Sequence, residues 1–176
     1  MRIVLFGKTI ISFYSHYFCS LSLKGLPEVT QPRLTSFEIS NSDMGDIELA
    51  KSMKKVLARE ENPVKGYGFR DGNGETVGHL FVMKKGGREV LYKVKKAEPY
   101  LFGVKVFESF RGNGFAAEMI AMLGERLKAQ GAEKLYFTVQ KRNKSALRLY
   151  EKLGYKRLGS RHFVRLWRFN IPFHTL

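Results

Sequence analysis

The chain has 176 residues, 44% of them hydrophobic, enough for one packed core and too few for several large domains. A lone cysteine, Cys19, excludes an internal disulfide, and with no Cys/His cluster no metal is expected. The formal charge of +15 is the exception to an ordinary composition, and it implies either an anionic partner or simply a solvated basic face.

Met1 to Leu23 is apolar, but Lys8, His16 and four serines interrupt it, so it reads neither as a secretory signal nor as a membrane span. A cytoplasmic location is therefore expected. Pro27 and Pro32 bracket a linker, leaving residues 1–35 as an N-terminal extension of unknown role (an acceptor lid, a dimer contact or an extra packing layer). Ser36 to Ser40 reads as a short strand. Ser42 or Asp43 caps a helix with Ile47, Ala50, Met53 and Leu57 on its apolar face, stopped by Pro63. Val64 to Arg70 and Glu75 to Met83 flank Asp71-Gly-Asn-Gly74, a hairpin turn. After Gly86-Gly87, strands are expected at Arg88 to Val94 and Tyr100 to Phe107. A helix over 114–129, a strand over 134–139 and a helix over 143–153 follow. Closing strands at 156–158 and 161–169 complete a domain of residues 36–170, with 171–176 as a tail. The order is mixed α/β, with a largely antiparallel central sheet and flanking helices.

Chemistry concentrates where the Tyr100 to Phe107 strand hands over to the next helix, at Arg111-Gly112-Asn113-Gly114-Phe115-Ala116. Two glycines let backbone N–H groups approach a ligand, a helix N-terminus favours negative charge, and Arg111 adds a cation. A phosphate cradle results, with a plain glycine turn as the bland alternative. No Lys-Ser/Thr pair closes a Walker loop. Gly112, Gly114 and Ala117 fit a dinucleotide fingerprint. The strand at Leu135 to Val139, however, ends in Gln140-Lys141-Arg142, with no acid to hold a ribose.

Downstream, Asn143, Ala146, Tyr150, Gly154 and Tyr155 stand at spacings that, with Arg111, Gly114 and Ala116, make the chain resemble the GCN5-related N-acetyltransferase (GNAT) family over roughly residues 37–169. The resemblance implies an acetyl-CoA-dependent N-acetyltransferase acting by direct transfer. The strand before the loop would bulge and splay from its neighbour, and the coenzyme would lie in the gap. By the same resemblance, Val104 and Val106 would offer backbone to the pantetheine, Val106 polarising the thioester carbonyl as an oxyanion hole does. Arg111, Gly112, Asn113, Gly114, Phe115 and Ala116 would hold the pyrophosphate. Asn143 would cap its helix, bond the pantetheine arm, or both. Tyr150 would protonate the departing thiolate, its alternative being a core position; Tyr155 reads as packing. Cys19 lies outside the resemblance, so no acyl-enzyme is expected.

An attacking ammonium needs a base. Glu98, His79 and Glu108 are candidates, and no motif selects among them. The charge excess favours a small anionic amine as acceptor, with an amino sugar on a nucleotide as the first choice. A protein or peptide amine is the runner-up, and a non-catalytic coenzyme A- or RNA-binding module is the rival of another class. A homodimer is compatible with the sequence; nucleic acid is not the expected partner.

Overall fold

The computed structural model describes residues 2–5, 8–40, 64–83, 88–89, 92–93, 99–166 and 169–173. Nine strands form one sheet: β1 (Arg2–Leu5), β2 (Lys8–Ser22), β3 (Thr35–Glu38), β4 (Val64–Arg70), β5 (Thr76–Met83), β8 (Tyr100–Val106), β9 (Lys134–Gln140), β10 (Lys156–Leu166) and β11 (Phe169–Phe173). A two-residue pair, β6 (Arg88–Glu89) and β7 (Tyr92–Lys93), stands apart as its own sheet. Two α-helices, α1 (Phe115–Ala129) and α2 (Lys144–Lys152), are present among the described residues. The expected helix after Ser42 and the candidate base Glu98 lie outside them.

The strand order is β11-β10-β2-β9-β8-β5-β4-β3, with β1 on β2. The pairing is antiparallel except between β8 and β9, which run parallel on either side of α1. The hairpin turn forms as its sequence demands. Asp71 Oδ1 accepts from the N–H groups of Asn73 and Glu75, both at 3.0 Å, and Gly74 takes φ 82°.

Three elements depart from the sequence reading. The span expected to be one strand from Arg88 to Val94 holds the β6–β7 pair. The break at Gly159-Ser160 is absent: β10 runs through it, with a register shift between Arg157 and Gly159, as at a bulge. Phe169–Phe173, split between strand end and tail in the sequence reading, is a strand paired with β10.

The N-terminal segment also receives a definite place. β2 runs between β9 and β10, paired with both: His16 stands opposite Gln140 on one side and Arg161 on the other. After it, a 3₁₀ turn at Leu23–Gly25 leads the chain over α1, where Leu23, Leu26 and Leu34 are buried. Glu125 accepts from the Val29 N–H at 3.0 Å, and Glu118 accepts from the N–H groups of Arg33 and Leu34 at 2.7 and 3.1 Å. The stretch between the two prolines is thus fastened to the helix.

The sheet has a core on each face. On the helix side, Cys19, Leu21, Leu101, Leu135, Phe137 and Val139 pack with Met119, Ile120, Leu123 and Tyr150. On the other, Phe18, Phe81, Met83, Tyr100 and Val64 pack with Phe102 and Tyr136. Alternation along β2 and β9 sends Tyr17, Cys19, Phe137 and Val139 to the helix side, and His16, Phe18, Tyr136, Thr138 and Gln140 to the opposite face.

Candidate active site

The site begins as a fault in the sheet. On β5, His79 and Phe81 are two apart, yet their partners on β8, Lys105 and Phe102, are three apart. The extra residue is accommodated at Gly103, whose φ of 60° suits glycine, and a Cβ there would meet the Phe81 ring at 2.8 Å. Past the bulge β8 turns away from β9: the two pair at Tyr100↔Tyr136 and Leu101↔Phe137 only. Val104 to Val106 therefore present a strand edge that β9 does not cover.

That edge leads directly into the glycine loop. A 3₁₀ turn, Glu108–Phe110, carries the chain to Arg111. Gly112 and Gly114 take φ of 86° and 79°, and Gly114 is the N-cap of α1 with no side-chain cap hydrogen bond. The first turn of α1 is thus left to the loop and to whatever ligand sits there. Arg33 braces the outer side: its Nε donates to Glu118 Oε2 at 2.9 Å and its Nη2 to the Asn113 carbonyl at 3.1 Å, with the guanidinium 4.7 Å over the Phe115 ring.

Edge, loop and helix α2 enclose an open cleft of about 740 Å³. Val104, Val106, Arg111, Gly112, Gly114, Phe115 and Ala116 line it from one side; Asn143, Ser145, Ala146, Leu149 and Tyr150 line it from α2. Asn113 does not line it; its amide donates to the Phe110 carbonyl at 3.3 Å and shapes the loop from behind. Asn143 caps α2, with Oδ1 accepting from the Ala146 N–H at 3.1 Å and from Ser145 Oγ at 3.0 Å, so contact with a ligand falls to its Nδ2. Tyr150 is buried and stacked on Phe137, ring centroids 4.0 Å apart. Burial, reinforced by Cys19, holds its hydroxyl pKa well above the ordinary tyrosine value, so it stays protonated at neutral pH.

The arrangement presents backbone groups on an uncovered strand edge, followed by a glycine loop and a helix N-terminus of the kind that can receive phosphates. A sequence model of the acetyltransferase (GNAT) family matches residues 34–155. The chain belongs to the GNAT family.

Among GNAT relatives, the uncharacterized N-acetyltransferase YdgE of Bacillus subtilis is 38% identical over 82 residues, 47% of this chain and 48% of that protein. The chain thus spans about half the length of that curated relative. A GCN5-related N-acetyltransferase from Kribbella flavida superposes with a TM-score of 0.55 at 16% identity, over 88% of this chain and 58% of the other. A GCN5-related glucosamine N-acetyltransferase region of a fungal multi-domain β-N-acetylglucosaminidase superposes at 0.62 and 16% identity, over 85% of this chain and 20% of the other. At such identities the superpositions show the GNAT fold.

The candidate bases fare differently from the loop. His79 is buried against Phe81 and Phe107, ring centroids 5.2 and 5.9 Å away, and does not line the cleft. Glu108 points to solvent, its side chain 92% exposed, 3.9 Å from Arg111. The sequence reading missed His16, which β2 brings into the cleft lining beside Thr138 and Gln140. No sequence signal selects it, since His16 meets β9 and β10 only through pairings more than a hundred residues distant.

The basic residues divide as well. Lys141, Lys144, Arg148 and Arg157 line a separate groove behind α2, around Tyr17, which carries Arg157 and Lys141 at 4.3 and 5.1 Å from its ring. The helix stands between that groove and the cleft. Among the described residues no group of three or more metal-ligating side chains occurs, and no helix is long and apolar enough to cross a membrane.

Proposed function

We propose that the protein is an acetyl-CoA-dependent N-acetyltransferase that passes the acetyl group directly to a primary amine. The observation that carries this reading is the bulged, uncovered edge Val104–Val106 running without interruption into the Gly112–Gly114 loop at the start of α1. Acetyl-CoA, when bound, supplies an acetyl thioester whose carbonyl carbon accepts a nucleophile.

Every other contribution comes from the chain. Val104 and Val106 orient the pantetheine arm, and the Val106 N–H is the fixed dipole for the carbonyl oxygen. The N–H groups of the loop and of Phe115 and Ala116 hold the diphosphate, with Arg111 as the neighbouring cation. Asn143 Nδ2 steadies the arm from α2. Tyr150 keeps its proton at neutral pH and gives it to the leaving sulfur; the stacked Phe137 ring fixes its direction. Cys19 is fully buried in the helix-side core and takes no part.

For the acceptor we propose a small anionic amine, such as an amino sugar on a nucleotide. Lys105 lines the cleft beside His16, which supports negative charge on the incoming molecule. The cations behind α2 are not on this path, so only part of the charge excess serves the acceptor. The glucosamine acetyltransferase region shares the fold alone, and charge is the stronger guide. The test is acetyl-CoA consumption across amino sugars, nucleotide-linked amino sugars, polyamines, aminoglycosides and peptides. Turnover confined to the anionic amines is expected; preference for peptides would replace the acceptor and leave the transfer chemistry standing.

A further inference from the structure

The cleft passes through the sheet where β8 leaves β9, and its two mouths carry different chemistry. Tyr150, Asn143 and the glycine loop belong to the helix side. His16, Thr138 and Gln140 belong to the opposite face, fixed there by the register His16↔Gln140 and Phe18↔Thr138. A coenzyme entering from the helices leaves the far face for the amine. Resting on the transferase reading, we propose that His16, on the N-terminal strand, is the base that takes the proton from the acceptor ammonium.

Among the described residues lining the cleft there is no aspartate or glutamate, and the remaining titratable side chains are Lys105, Arg111 and Tyr150. Lys105 and Arg111 are cations, and Tyr150 is needed protonated. His16 is the one side chain there that can be neutral and accept a proton at neutral pH. Its surroundings also suit the role. Burial, followed by Arg142, lowers its pKa below 6.5, which keeps the imidazole neutral. Among the described residues the neighbouring groups are Gln140, Lys141 and Arg142 on the β9 side, His162 next to its register position on β10, and Lys105 across the cleft.

A ring nitrogen of His16 takes one proton from the ammonium, whose electron pair stays on nitrogen and forms the C–N bond to the acetyl carbon. The C–S bond breaks with its pair going to sulfur, which takes the Tyr150 proton. The new amide loses its second proton, which returns through solvent to the Tyr150 oxygen, and the proton on His16 passes to solvent. Base on one face and acid on the other keep the two transfers apart, and β2, which begins outside the family match at residue 34, supplies the acceptor side.

The experiment uses the full chain, CoA release with glucosamine, a nucleotide-linked amino sugar, spermidine and a peptide bearing a free amino terminus, and acetyl-CoA-induced thermal stabilisation as a second readout. His16→Gln should keep the stabilisation and lower kcat at neutral pH by about 10²–10⁴-fold. The deficit should shrink as pH rises and the amine deprotonates unaided, and the acidic limb of the unsubstituted protein's profile should disappear. His16→Glu, which restores a proton acceptor, should recover part of the rate. An unchanged rate and pH profile in His16→Gln overturns the assignment, as does an equal loss at every pH with no recovery in His16→Glu. If the unsubstituted protein is stabilised by acetyl-CoA yet acetylates none of the amines, the transferase reading itself fails and the base falls with it.

Discussion

Replacing Gly114 with alanine separates binding from strain at the proposed phosphate loop. At φ 79° an alanine costs about 1–2 kcal/mol in the free protein. At this chain length each kcal/mol moves Tm by about 2–4 °C, so a drop of roughly 2–8 °C is expected before any ligand is added. Nothing resists the methyl group sterically, since its nearest neighbour is Arg33 Nη2 at 3.8 Å. A β-branched residue would be worse placed, which makes alanine a cleaner probe than valine. Acetyl-CoA at about 100 times its Kd should stabilise the unsubstituted protein by about 2.7 kcal/mol, or roughly 5–11 °C. In Gly114→Ala most of that increment should vanish, because the methyl group holds the phosphates away from the backbone. Gly74→Ala is the matched control. Its φ is 82°, nothing lies within 4 Å of an added Cβ, and it sits in the β4–β5 turn away from the cleft. It should show the same loss of Tm and the full ligand increment. Differential scanning fluorimetry on the three proteins decides: an intact increment in Gly114→Ala, or loss of it in both variants, refutes the loop assignment.

Tyr150→Phe removes a hydroxyl and little volume, so acetyl-CoA stabilisation should persist while kcat falls by about 10²–10⁴-fold, as loss of a general acid costs; an unchanged rate at all pH values returns Tyr150 to the core. Cys19 is fully buried and its thiol is pushed up to about 11, by burial and against Arg157, so iodoacetamide should label it only after unfolding; rapid native labelling would show β2 leaving the sheet. The pKa of His16 is lowered in the folded state, so the unfolded chain binds more protons just below pH 6.5 and stability should fall as pH drops through that point towards the folded value. His16→Gln should remove that component of the denaturant midpoint's pH dependence, and an identical slope in the variant would count against it. Lys105→Gln should raise the acceptor KM and reduce its dependence on ionic strength while sparing acetyl-CoA; no change in either constant would leave the acceptor without an electrostatic partner there.

The sequence carried the parts of the site that are local. The Asp71–Gly74 turn, the glycine loop and α1 depend on residues within a few positions of one another, and each lies where its pattern places it to within about a residue or two. Parallel pairing of β8 with β9 follows from the helix between them. What could not be read is long-range. His16, Ser15 and Ser20 look like interruptions in an apolar tract, yet they sit in a strand with neighbours on both sides, where polar residues face a cleft or a partner strand. Ser15 Oγ, for instance, bonds His162 Nδ1 at 2.9 Å across 147 positions. The Pro27–Pro32 stretch carries linker chemistry, but Leu26, Leu34 and the carboxylates of Glu118 and Glu125 bind it to α1. Choosing a base needed the same information, because it turns on which side chains reach the cleft.

Direct acetyl transfer is tested most plainly by following both products at once. Acetyl-CoA is incubated with the purified chain and each amine of the panel, free thiol is measured, and the amine is examined by mass spectrometry for one added acetyl group. Thiol and acetylated amine should appear in equal amounts, and neither should form without the protein. Thiol release without an acetylated amine, or an intact thioester with every amine despite bound acetyl-CoA, would contradict the account.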